Sequence, residues 1–275
     1  MASKKAAFTP PTAEGFSRSQ VFVHRQVKTK DPILVVGLPG IGFVSKLAVD
    51  HLVKQVKAER IATIYSPYFP NQVIALKNGK LRMFSMRFFY KKMKKRDMIF
   101  LKGDIQPVTV EGQYEVCSKA LEYFGSLGGT QVVSMAGFAV TPKEKGPAIY
   151  CSSSSKEMYG KFKKLGTKQI ERAVPIVGMA GLFPGLAKAY GMKGACLLVE
   201  TPGTMIDAKG ASALVRMLSQ LAGQKFDTVN LEVRAKKAED MIRKLNEQAS
   251  PEEPKAGEAS TEDIIKRNES LSYIR

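Results

Sequence analysis

The stretch Gly37-Leu38-Pro39-Gly40-Ile41-Gly42 combines residue types and a position that can do chemistry. It lies between an apolar run and a helical pattern, where α/β proteins hold phosphates on the backbone N–H groups of a helix N-terminus. Its order is G-x-x-G-x-G, whereas a dinucleotide loop needs G-x-G-x-x-G. The first half of a P-loop, G-x-x-x-x-G, is present, but Phe43 and Val44 stand where that loop needs a lysine and a hydroxyl. Lys46 is one turn further on. Two readings follow: a tight strand-to-helix turn that needs glycine for its backbone, or a small anion site formed by Gly37, Pro39, Gly40 and Gly42 with Glu200. Glu200 and Asp104 each end a buried run, the position where α/β active sites collect. His24 and His51 are the only imidazoles, so a Ser-His-acid triad would have to use one of them. His51 falls among the core-facing positions of the first helix. There is no G-x-S-x-G and no Cys-x-x-Cys. No catalytic residue is assigned, and no cofactor or metal is expected.

The elements that hold these groups alternate. Ile33–Val36 is a continuous apolar run, suited to a strand buried on both faces. Val44 to Gln55 has helical spacing, and Ile61–Tyr65 is a strand. Gln72–Lys77 and Leu81–Tyr90 read as strands joined by Asn78-Gly79, a strong hairpin signal because both residues tolerate positive φ. Asp97–Lys102 is a strand and Glu111–Leu127 an amphipathic helix. Further strands are expected at 130–136, 148–151, 174–177 and 194–199, and helices at 155–164, 182–190 and 208–222. The pattern predicts an α/β fold: a single domain over residues 18–248, with a mixed central sheet flanked by helices, a C-terminal helix and a flexible tail. Residues 1–17 form a leader without apolar period.

Of 275 residues, 44% are hydrophobic and 25% charged, which excludes wholesale disorder. Three scattered cysteines, Cys117, Cys151 and Cys196, make no disulfide framework and suit a reducing, cytoplasmic setting. The longest uncharged run, 125–142, is too rich in Gly, Ser and Thr to span a membrane. The net charge of +18 raises a nucleic-acid reading. The charge is concentrated, however. Lys91, Lys92, Lys94, Lys95 and Arg96 form a basic face between two strands, and the neighbouring Phe88, Phe89 and Tyr90 read as a central strand. That pattern favours contact with an acidic protein surface over a nucleic acid, with salt-sensitive, non-specific polyanion binding as the alternative.

Asn230–Gln248 carries Leu231, Ala235, Ala238, Ile242 and Leu245 at 4, 3, 4, 3 spacing, a short a/d seam that packs on the domain or on a sister subunit. Residues 249–263 are an acidic linker with an r.m.s. reach of roughly 20–25 Å. Residues 264–275 restore apolar side chains and read as a binding tail.

Several blocks in series carry a family resemblance. PILVVGLPGIGFVSKLA (32–48), LKGDIQP (101–107), EGQYE (111–115), AGLFPGLA (180–187) and LLVETPG (197–203) resemble, in order, the blocks of the proteasome assembly chaperone family in its archaeal branch. The resemblance spans about 21–248. It implies a nucleoside-phosphorylase-like α/β fold, homo-oligomers, and binding to proteasome core-particle α subunits. Many proteasome partners end in a hydrophobic-Tyr-any motif that docks between α subunits. The tail here ends Leu271-Ser272-Tyr273-Ile274-Arg275, with the tyrosine third from the end. Leu271, Tyr273, Ile274 and Arg275 are therefore the expected partner-binding residues. A small-molecule or nucleotide-binding enzyme built on Gly37–Gly42 is the alternative.

Overall fold

The computed structural model describes residues 17–140, 146–203, 206–237 and 240. The elements run β1 (Gln20–Val23), β2 (Ile33–Gly37), α1 (Val44–Gln55), β3 (Glu59–Tyr65), β4 (Val73–Ala75), β5 (Leu81–Met83), β6 (Met86–Lys91), β7 (Met98–Gly103), α2 (Val110–Ser126), β8 (Gln131–Ala139), β9 (Ile149–Ser153), α3 (Lys156–Lys164), α4 (Met179–Ala187), β10 (Lys193–Thr201) and α5 (Ala208–Ala222). Eight strands form one mixed sheet in the order β1-β3-β6-β7-β2-β8-β10-β9, and β4 and β5 form a separate ribbon. The contiguous block β7-β2-β8-β10 is parallel.

Every residue of β2 is buried, as its apolar run predicts for a strand covered on both sides. Alternation along the strands sorts the core into two layers. Val35, Phe100, Val133 and Leu197 meet α1, α3 and α5 on one face. Leu34, Ile99, Leu101 and Val132 meet α2 and α4 on the other. Side-chain oxygens start three helices by accepting an otherwise unpaired N–H. These caps are Thr109 on α2, Ser155 on α3 and Asp207 on α5.

Three details differ from the sequence expectation, and a fourth narrows it. Residues 174–177 form no strand, and Val177 is 87% exposed. Pro175 removes a ladder donor, and β9 already meets Lys168 through a bridge at Tyr150. The expected strand 81–90 is two strands. Leu81–Met83 pairs only with β4, while Met86–Lys91 enters the main sheet between β3 and β7. The helix expected at 182–190 begins earlier, at Met179, and contains Pro184. The proline has no N–H for the carbonyl of Ala180, and buried Ser134 Oγ donates to that oxygen instead at 2.5 Å. Finally, residues 231–237 are helical, with Leu231 and Ala235 buried in the α1/α5 core, so this half of the seam packs on the domain. Ala238, Ile242 and Leu245 lie outside the described residues, as do most of the leader, the acidic linker and the tail with Leu271, Tyr273, Ile274 and Arg275.

Candidate functional site

The glycine turn follows β2 at the carboxyl edge of the parallel strands. A Cβ on Gly37 would stand 2.4 Å from Val49 Cβ and 2.7 Å from Ser45 O, so only glycine lets α1 pack this closely. Leu38 N donates to Ser45 Oγ at 3.1 Å. A 3-10 turn, Ile41–Phe43, then leads into α1, with Gly42 at φ 64° and Phe43 at φ 52°. Gly42 is wedged against Thr201 of β10, and Gly137 of β8 leaves room for Ile41 O. Gly42 O accepts Asp207 N at 2.9 Å. Gln106, beyond β7, clamps the rest: its Nε2 donates to Pro39 O at 2.6 Å, and its Oε1 accepts Met179 N at 3.1 Å. The amide thus ties the turn to the start of α4. Gly40 is exposed with nothing near its Cβ position.

This turn departs from a phosphate cradle in two ways. Phe43 adopts a left-handed conformation between the glycines and α1, so the loop does not run straight into the helix N-terminus. Lys46, the nearest cation in sequence, binds Asp50 at 2.9 Å, and Lys102 binds the other oxygen of that carboxylate at 2.7 Å. Burial would raise the pKa of Asp50, but the two ammonium groups outweigh it and hold the carboxyl below the usual carboxylate range. Two open depressions lie elsewhere, one of about 610 Å³ beside Gln55, Arg216 and Phe226, and one of about 290 Å³ beside Glu171 and Val174.

Glu200 is separated from the turn by strand parity. Its neighbour Thr201 faces Gly42, and successive side chains of β10 point to opposite faces. Glu200 accepts Ala148 N and Tyr150 OH, each at 2.9 Å, and so fastens β9 to β10. Phe138 meets the Tyr150 ring edge-on at 5.7 Å.

The other reactive types are similarly engaged. Asp104 receives Arg82, Arg87 and Ser85 N. His24 Nε2 and Thr63 Oγ1 are 2.8 Å apart; burial, then Arg60, push the His24 imidazole toward its neutral form. His51 is 3% exposed, and its Nε2 donates to Asp227 O at 2.6 Å. All three cysteines are buried and free. Burial pushes their thiols up, to about 12 at Cys151 and about 11 at Cys196, away from nucleophilic thiolate. Among the described residues no three His, Cys, Asp or Glu side chains are grouped to hold a metal. Among the same residues no helix is long and apolar enough to cross a membrane.

The basic face occupies the opposite, amino edge of the parallel strands, at the turn between β6 and β7. Buried Asp97 builds that turn by accepting Met93 N, Lys30 N and Tyr90 OH at 3.1, 2.8 and 3.0 Å. The structure divides its five cations. Arg96 points inward, its side chain 11% exposed, and binds Gln131 Oε1 at 2.8 Å and Asp31 at 3.1 Å. Lys91 closes β6 and is half-buried, whereas Lys92, Lys94 and Lys95 are exposed. Lys95 Nζ stands 3.0 Å from the Cβ position of Gly223, over the C-terminus of α5, where a cation complements the helix dipole. Lys161 of α3 is drawn into the same region: its ammonium is pushed down by burial and then by Arg96. Sequence reading missed the roles of Gln106 and Ser134. Gln106 lies inside the block 101–107, and Pro184 within a helical run signals that some group must serve Ala180 O.

Comparison with known proteins supplies the remaining part. The PAC2 family model matches residues 34–246. An uncharacterised protein of Methanocaldococcus jannaschii is 32% identical over 227 residues, covering 81% of this chain and 88% of that one. The crystal structure of Pyrococcus furiosus PbaB, an archaeal proteasome activator, superposes with a TM-score of 0.74 at 32% identity, over 83% of this chain and 99% of that one. Pyrococcus furiosus PbaA, an archaeal homologue of proteasome-assembly chaperone, shares the fold at TM-score 0.68 and 22% identity, over 94% and 98% of the two chains. The family expected from the ordered blocks between Pro32 and Gly203 is the one found, and the chain belongs to the PAC2 family.

Proposed function

We propose that this protein is a cytoplasmic, homo-oligomeric chaperone or adaptor that binds proteasome core-particle α subunits. The observation that carries this reading is the 32% identity to PbaB across 83% of the chain. In this reading the α/β domain is a scaffold. Residues 249–263 are a tether, and Leu271, Tyr273, Ile274 and Arg275 are the docking element. A tyrosine offers ring burial with a hydroxyl partner, and a terminal carboxylate can pair with a lysine. Several tails on one oligomer raise the effective concentration, so individually weak contacts combine. The exposed Lys92, Lys94 and Lys95 add an electrostatic contact for an acidic surface. The packing of the glycine turn supports a structural role for Gly37, Pro39, Gly40 and Gly42.

The test is a pull-down of recombinant proteasome α subunits by the full chain and by a chain ending at residue 263. The reading expects recovery with the full chain and a loss of at least tenfold without the tail. Equal recovery removes the tail's role, and no recovery with either chain removes the partner. Retention on DNA above about 0.5 M salt would instead favour a nucleic-acid function.

A further inference from the structure

The β4–β5 ribbon wears its apolar side outward. Val73 lies opposite Met83 and Ala75 opposite Leu81, so these four side chains share one face. Val73 is 54% exposed, Leu81 71% and Met83 48%. The other face carries Ile74 and Arg82, and Arg82 anchors the ribbon to Asp104. A two-stranded ribbon is marginal by itself, and both its edges are unpaired. Its tip presents exposed Lys77 and Lys80, and residues 60–96 contain no Asp or Glu.

A second exposed apolar group lies at the start of α2. Val110 and Tyr114, one turn apart on α2, and Val108 just before the helix are 67%, 48% and 52% exposed. Exposed Glu111 stands among them. Tyr68, on the loop that leads to β4, accepts Val108 N at 3.1 Å and packs against Gly112, so the ribbon's approach is pinned to the start of α2.

We infer that this combined surface is where a second copy of the chain docks, related by a two-fold axis, each ribbon covering the start of α2 on its partner. The inference rests on the homo-oligomer of the proposed function and names its contact. One argument sizes the surface and one selects a second copy. A ribbon of three residues per strand is much smaller than the ~800 Å² per partner that a stable interface buries, so the start of α2 must take part. The charges are complementary only in this crossed arrangement: Lys77 and Lys80 meet Glu111, whereas ribbon-on-ribbon packing would set lysines against lysines.

Sedimentation equilibrium of the full chain tests it, with far-UV circular dichroism confirming that each variant is folded. The double variant Leu81→Ser/Met83→Ser should raise the dissociation constant of self-association at least tenfold. Lys80→Glu and Glu111→Lys should each weaken it severalfold, and together they should restore it to within about twofold of the parent. A parent oligomer unchanged by all of these variants overturns the surface and leaves the homo-oligomer standing. Failure of the paired charge reversal to restore association overturns the crossed arrangement. A monomeric parent overturns both.

Discussion

The two ends of the parallel strands make opposite uses of polar side chains. At the carboxyl edge, the groups that suggest chemistry are engaged in holding loops. Gln106 clamps Pro39 to Met179, the Asp207 carboxylate caps α5, and Glu200 fastens β9. At the amino edge, a buried aspartate organises a turn that presents Lys92, Lys94 and Lys95 to solvent. The contrast teaches that a glycine-rich loop at a strand end is not by itself a binding site. What counts is whether its donors and its space are already occupied.

Four sets of substitutions would break or sharpen this contrast. Gly37→Ala should have the largest effect, because its Cβ would overlap Val49 and backbone at Ser45. A loss of about 2–3 kcal/mol in urea unfolding is expected; an unchanged midpoint would mean the turn is looser than a locked joint. Next, Arg96→Ala should cost about 2 kcal/mol by leaving Gln131 and Asp31 without their partner, while Lys94→Ala should stay within about 0.5 kcal/mol. The triple variant of Lys92, Lys94 and Lys95 to alanine should flatten the salt dependence of α-subunit binding without moving the melting curve. Equal stability costs at Arg96 and Lys94 would erase the division of the basic face. Third, Ser134→Ala should cost about 1–2 kcal/mol, and Pro184→Ala should return most of it by restoring an N–H for Ala180 O. Additive single effects would exclude that coupling.

The smallest effect concerns pH. The carboxyl of Asp50 is held below its ordinary value in the fold. Its ion pairs therefore contribute stability above the unfolded pKa near 4, and that contribution is lost as pH falls through the lower folded pKa. Asp50→Asn should flatten the acid limb of a melting-temperature profile below about pH 4. A profile parallel to the parent's would show that Lys46 and Lys102 do not hold the charge.

How much could be read beforehand varied with the kind of information needed. β2 was legible because a strand buried on both faces must be apolar throughout. The family was legible because ordered blocks constrain one another more than a single loop does. The break at Phe84 and Ser85 was hidden because apolar side chains run through it; its one signal is the change of alternation phase, from Leu81 and Met83 to Met86 and Phe88, where the strand changes partner from β4 to β7 and β3. Residues 174–177 misled because their apolar character serves a loop before α4, with Gly181 fitted tightly against Ile176. Arg96 looked like its four lysine neighbours, because composition carries no direction; only the fold brings Asp31 and Gln131 to it. The same limit applies to Glu200. Parity separates it from Thr201, but which of the two faces the turn depends on where α1 packs.

The strand order has a consequence for how the chain acquires its shape. β2 is made early and is entirely apolar, yet the strands that flank it begin at Met98 and Gln131. During synthesis at ~5–20 residues per second, its hydrogen-bonding edges stay open for several seconds. The native centre can close only after β8 has emerged, which predicts slow, late folding dominated by distant contacts. A ribosome-arrested chain ending before residue 131 should therefore remain protease-sensitive at β2, and one extended past Thr201 should not.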